Sequence, residues 1–188
     1  MLLAALTLAL APSGLWPAAA AAKRRARTAV AACSGSTLSP TAADLALVDR
    51  ATLCLVNQIR ASDGLRPLRA NRYLQRVASS QVRTMVSWDY FGDVRPSGQT
   101  PMSLVGVTRY PAHAAGFAVG ENIAWGTGAL ATPAHIVAEW MASPPHREVI
   151  LTAEYRDAGI AATPAVPSVL HPNRPGATYA MEFGARKF

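Results

Sequence analysis

The 188-residue chain is poor in several things at once. It holds two cysteines, too few for a disulfide scaffold or a zinc site built from thiolates. Charged residues make up only 15%. Lysine occurs twice, at Lys23 and Lys187, so nearly all of the positive charge is arginine. No internal repeat is visible. No G-x-S-x-G elbow, H-E-x-x-H pair, P-loop or dinucleotide fingerprint occurs, which removes the commonest hydrolase, metalloprotease and nucleotide-binding classes. Neither cysteine has the surroundings of a catalytic thiol, since no histidine lies close to either in sequence. The apolar run Leu2 to Pro12 falls short of the roughly 20 residues that span a bilayer.

What is present is one domain's worth of core-forming material. Apolar residues reach 51%, which excludes disorder throughout. After the short apolar run come Ala18, Ala20 and Ala22, at the small-residue spacing of a signal peptidase site. Residues 1–22 therefore read as a secretory signal, despite the lack of a basic residue before the run. Residues 23–40 read as a basic, poorly ordered arm, and 41–188 as the folded domain. The net charge of +7 first suggests an acidic partner. Its placement changes that: four basic residues crowd into 23–27, and without them the balance is +3. This describes a mildly basic exported domain with a cationic leader, not a nucleic-acid binder. In an exported chain the even pair Cys33 and Cys54 reads as one disulfide. Closing that loop is worth about 3 kcal/mol in the chain-entropy picture. The alternative is two unrelated buried thiols.

The apolar spacing predicts helices first. Leu45, Val48, Thr52, Leu55 and Ile59 share one helical face, between a cap at Thr41 and a stop at Gly64. Asn71 caps a second helix carrying Leu74, Val77, Ala78, Val82 and Met85. Residues 89–119 read as an irregular connection with a short helix opened by Thr100-Pro101. Ala118 to Gly126 reads as a strand. Thr132-Pro133 starts a helix with Ile136, Val137, Trp140 and Met141 inward, which Pro144-Pro145 ends. A helical turn over His146 to Leu151 follows. Gly159 to Thr163 and Thr178 to Phe183 read as strands, the second with Tyr179, Met181 and Phe183 on one face. Such an order argues for an antiparallel sheet covered by helices, an α+β fold.

Six segments stand in series: Leu55-Val56-Asn57-Gln58-Ile59-Arg60, Gly64-Leu65-Arg66-Pro67-Leu68, Asp89-Tyr90-Phe91-Gly92-Asp93, Gly120-Glu121-Asn122-Ile123-Ala124, Glu139-Trp140-Met141-Ala142-Ser143-Pro144-Pro145-His146-Arg147 and Tyr179-Ala180-Met181-Glu182-Phe183-Gly184. Together, from Val48 to Gly184, they resemble the CAP superfamily (SCP domain), and within it the compact secreted bacterial branch. The resemblance implies an α-β-α sandwich, with a central antiparallel sheet between helical layers. It also implies a cleft lined by two histidines and two acidic residues that binds a divalent metal in some members. Carried over residue by residue, the glutamate of the G-E-N motif falls on Glu121 and the second histidine on His146. The first histidine falls on Asp93 and the second glutamate on Ser143; Glu139 is not that residue.

Asp93, Glu121 and His146 can bind a divalent cation, zinc or calcium, through oxygen and nitrogen ligands. Replacing an imidazole by Asp93 weakens zinc preference. A purely structural role is a buried Glu121 bonded to backbone N–H groups and to His146. His135 and Glu139 read as a solvated pair one helical turn apart. His113 and His171 read as exposed loop residues, and Trp88, Trp125 and Trp140 as core or cleft lining.

Three functions compete. A secreted monomeric binding module would take a lipid or other small apolar ligand, or a cell-envelope polymer, at a degenerate cleft. A metal-assisted hydrolase or protease would use Glu121 as general base and His146 as ligand or acid. A structural envelope protein would bind anionic polymer through its basic arm. The incomplete site set points away from an enzyme. Localisation is expected to be extracellular or in the cell envelope, with no stable transmembrane anchor.

Overall fold

A computed structural model describes residues 32–188. The expected signal segment and residues 23–31 of the basic arm lie outside the described residues. From Cys33 onward the arm is tied to the domain. Cys33 is buried and bonded to Cys54, with Cα atoms 5.7 Å apart. The Ala134 N–H donates to Ser36 O (2.8 Å), and Ser39 Oγ donates to Gly128 O (3.3 Å). Residues 33–40 thus belong with the folded domain, where the sequence suggested part of a loose arm.

Helix α1 spans Leu45–Ser62. Thr41 does not cap it directly; its N–H and hydroxyl both donate to the Asp44 carboxylate (2.7 and 3.0 Å), and Asp44 is the capping position. Gly64, at φ +73°, provides the left-handed turn that ends the helix. Helix α2, Arg72–Ser87, is capped by Asn71, whose side chain accepts from the Tyr73 N–H (2.9 Å). Helix α3, Pro101–Gly106, opens with a reciprocal Thr100–Ser103 capping box. Helix α4, Pro133–Ala142, begins at the expected Thr132 cap. Pro144 and Pro145 do more than end α4. They occupy the first turn of a further helix, α5, Pro144–Leu151, where a missing N–H carries no penalty.

Four strands form one sheet in the order β1-β3-β4-β2. They are β1 (Arg69–Ala70), β2 (Gly116–Thr127), β3 (Asp157–Thr163) and β4 (Gly176–Lys187). The three long strands pair antiparallel, as expected. The sheet is nonetheless mixed, because the two-residue β1 lies parallel to β3. A strand that short has no alternation to betray it in the sequence. Beyond β1 the edge of β3 is closed by side chains. Gln75 bonds both the N–H and the carbonyl of Ile160, and Asp49 accepts from the Ala162 N–H (3.0 Å). These bonds satisfy backbone groups that an open strand edge would expose.

Alternation along β4 divides the core. Tyr179, Met181 and Phe183 join Val48, Val56, Ile136, Val137, Trp140 and Ile150 beneath α1, α4 and α5. Ala180 packs with Ala78, Val82, Met85 and Ile123 beneath α2. Gly159 lets α2 approach the sheet; a Cβ there would lie 2.0 Å from the Gln75 backbone nitrogen. The result is the α+β sandwich expected from the sequence. Trp140 is a core residue, its indole N–H donating to Ile123 O (3.0 Å). Trp88 and Trp125, expected as core or cleft lining, are 53% and 38% exposed.

Candidate functional site

The site forms where the edge strand β2 meets the loop after α2 and the first turn of α5. Glu121 lies on β2 directly opposite Glu182 on β4, so both side chains point to the α2 face. Glu182 is fully buried. All four carboxyl oxygens of the pair are shut off from solvent, and no backbone N–H and no side chain outside the pair bonds any of them. The two carboxyls face each other and can bond only if one keeps its proton. Burial is the main cause holding both pKa values well above 4.5. For Glu121 the Glu182 charge adds to it, and Asp93 raises both further. Two like charges this close, in a medium that disfavours either, leave a pair sharing one proton.

Arg95 is the nearby cation that moderates this effect. It is 8% exposed, its Nε donating to Gln81 Oε1 (3.0 Å) and its Nη2 to Ser80 Oγ (2.9 Å). Gln81, itself buried on α2, donates to Gly92 O (3.0 Å) and so fixes the loop that carries Asp93. Asp93 is exposed at the rim. Partial desolvation of its carboxyl raises its pKa, and His146 pulls it back down.

His146 sits in the first turn of α5, with Nδ1 2.8 Å from Ser143 Oγ. Its own carbonyl accepts from Asn122 Nδ2 (3.0 Å), which anchors α5 to the Gly-Glu-Asn strand. The expected bonds from Glu121 to His146 and to backbone N–H groups are not made: Glu121 turns to Glu182, and His146 to Ser143. The structure therefore brings Asp93, Glu121 and His146 to one neighbourhood but divides them between rim and floor.

Zinc or calcium would need these groups to converge. Among the described residues no cluster of three or more His, Cys, Asp or Glu side chains is arranged to hold a metal ion. The other candidates stand apart. His135 is 3.6 Å from Glu139 on α4, largely solvated as expected. His113 and His171 are exposed and adopt left-handed backbone, at φ 66° and 49°.

Sequence reasoning missed Glu182, Gln81 and Arg95. The first had a signal: with Tyr179, Met181 and Phe183 on one face of a buried strand, Glu182 had to point into the other. Gln81 and Arg95 carried none, because their roles depend on how the loop after α2 folds back.

The fold is an α-β-α sandwich with a Gly-Glu-Asn strand at its edge, anchored to a Pro-Pro-His-Arg helix. The family model "CAP: Cysteine-rich secretory protein family" matches residues 53–165, and the chain belongs to that family. It is 30% identical over 109 residues to the uncharacterized protein YkwD of Bacillus subtilis, covering 56% of this chain and 38% of that one. It thus spans well under half of that relative. Among solved structures it is similar to an outer surface protein of Borrelia burgdorferi (TM-score 0.58, 18% identity, 72% of this chain and 90% of that one). It is also similar to an extracellular SCP-domain protein of Bacillus anthracis (TM-score 0.56, 20% identity, 77% and 43%). These two likenesses establish the fold.

Proposed function

We propose that the domain works outside the cytoplasm as a binding module rather than as a hydrolase. The observation that carries this is the state of Glu121. A general base must reach a substrate proton at hydrogen-bond distance, and it must be ionised to accept it. The Glu121 carboxyl oxygens are shut off from solvent, and burial, with Glu182 opposite, pushes its pKa up and favours the protonated form. In that state it pins two strands together and leaves Asp93, Ser143 and His146 as the groups a partner meets. The disulfide and the likeness to a protein described as extracellular support the location. No helix among the described residues is long and apolar enough to cross a membrane.

The test is turnover and location. The purified chain is assayed on broad peptidase and esterase panels, with zinc or calcium added, beside Glu121→Gln and His146→Ala. No turnover and no stoichiometric metal uptake are expected, with the protein recovered from the medium or envelope of its host. Turnover that disappears in both variants would replace this reading by the metal-assisted hydrolase. Retention in the cytoplasm would remove the extracellular part.

A further inference from the structure

A concavity lies at the β1 edge of the sheet, away from the carboxyl pair. It measures about 420 Å³ and is lined by Arg66, Arg69, Arg156 and Arg186, with Pro67, Asp157 and Phe188. Three separate stretches of chain supply these four guanidinium groups: the link before β1 with β1 itself, the residue preceding β3, and the end of β4. The one carboxylate side chain in the lining, that of Asp157, is already engaged. Asp157 Oδ2 accepts from Tyr110 Oη (3.0 Å) and from Arg186 Nη2 (3.4 Å). Arg186 is further fixed over the Tyr110 ring, 4.9 Å from its centroid.

Arg66, Arg69 and Arg156 have no such partner. Among the described residues the ion pairs are His135–Glu139 and Arg186–Asp157. Arg156 donates only to the main-chain carbonyls of Ala153 and Tyr155. Behind the cavity stands a fifth guanidinium, Arg60, which is fully buried. It is held by the carbonyls of Arg66 (3.0 Å), Ile150 (2.6 Å), Thr152 (3.0 Å) and Tyr155 (3.2 Å), and by no carboxylate. Its positive charge is therefore not neutralised inside the protein. Burial and the nearby Arg156 both act against that charge.

We propose that this concavity is a phosphate-binding site, with Arg66, Arg69 and Arg156 as the groups that hold the phosphate. Uncompensated like charges repel, and a bound dianion relieves that repulsion. The planar guanidinium fork matches the oxygens of a tetrahedral phosphate, and three forks meet its several faces where a carboxylate would engage one. The cavity has room for a phosphate together with the ester group it carries. This inference is independent of the binding role proposed for the Asp93–His146 rim.

The experiment uses the full chain, the double variant Arg66→Gln/Arg69→Gln, and Arg83→Gln as an exposed control on α2. Each is titrated calorimetrically with sodium phosphate at low ionic strength. Each is also floated with vesicles of phosphatidylcholine, with and without phosphatidylglycerol. Phosphate binding weakened about tenfold or more in the double variant, and unchanged in the control, is expected. Loss of phosphatidylglycerol flotation in the same variant identifies a lipid as the phosphate's source; phosphate binding without flotation identifies a soluble ester. Absence of phosphate binding by the parent chain, or equal binding by all three proteins, overturns the proposal. Flotation that survives in the double variant assigns membrane attraction to other basic segments and overturns the lipid source. Circular dichroism checks that the variants are folded, and Arg156→Gln gives a second, single-site reading.

Discussion

Glu121 and Glu182 stand opposite each other across β2 and β4, with all four oxygens shut off from water and from every group outside the pair. Their raised pKa values mean that the folded protein holds protons which the unfolded chain releases above about pH 4.5. Asp49 acts in the same direction: burial lifts it from 3.8 to about 7, against the lowering effect of the Ala162 N–H. For such groups stability is fully present below the unfolded pKa and is lost as pH rises through the folded value. Thermal melts should therefore show a higher midpoint at pH 5 than at pH 8. Glu182→Gln should flatten that dependence and raise the midpoint at pH 8. A midpoint that climbs across this interval would contradict the shared proton.

Arg60 holds the α1 end, the link to β1 and the segment after α5 together through four carbonyls. Arg60→Ala strands those acceptors and opens a cavity, with an expected loss of about 3 kcal/mol or more. Arg60→Lys should recover little, because an ammonium cannot span carbonyls arranged around a planar fork. Urea unfolding of the three proteins reads both effects. Equal stability of the lysine variant and the parent would show that charge alone matters.

Reduction of Cys33–Cys54 releases a segment held otherwise by a few main-chain bonds. The bridged residues are 21 positions apart in sequence. Loss of the bridge should lower stability by about 3 kcal/mol, most of it through a freer unfolded chain. Melts with and without reductant, beside the Cys33→Ser/Cys54→Ser variant, check this. The reduced parent and the variant should agree.

Gly159→Ala places a methyl group against the backbone of α2, which cannot turn aside as a flexible side chain can. The helix must lift from β3, and a loss of about 2 kcal/mol or more is expected. Gly64→Ala, where the demand is only for a left-handed turn and open space, should cost about 1 kcal/mol. Denaturation of the pair separates close approach from backbone conformation.

The elements that carry a periodic signal were legible in the sequence. The faces of α1 and α2, the caps at Asn71, Thr100 and Thr132, and the inward row Tyr179, Met181 and Phe183 all emerge from spacing. What was not legible depends on long-range register. β1 is two residues long and exists because Asp157 and Ala158 lie beside it. The tie between Glu121 and Glu182 requires knowing that β2 and β4 are neighbours and in which register. The arginine cavity joins residues as far apart as Arg66 and Arg186, each of which reads alone as an ordinary exposed charge.

The position of β4 has a consequence for timing. It lies between β3 and β2, yet it is the last of the four strands along the chain. Among the described strands β2 pairs only with β4, and β3 only with β4 and the two-residue β1, so until residues 176–187 are in place each shows an open edge that other chains could pair with. Only this strand joins β2 to the rest of the sheet. The same strand delivers Glu182 to Glu121 and Arg186 to Asp157, so neither the carboxyl pair nor the arginine cavity is complete without it.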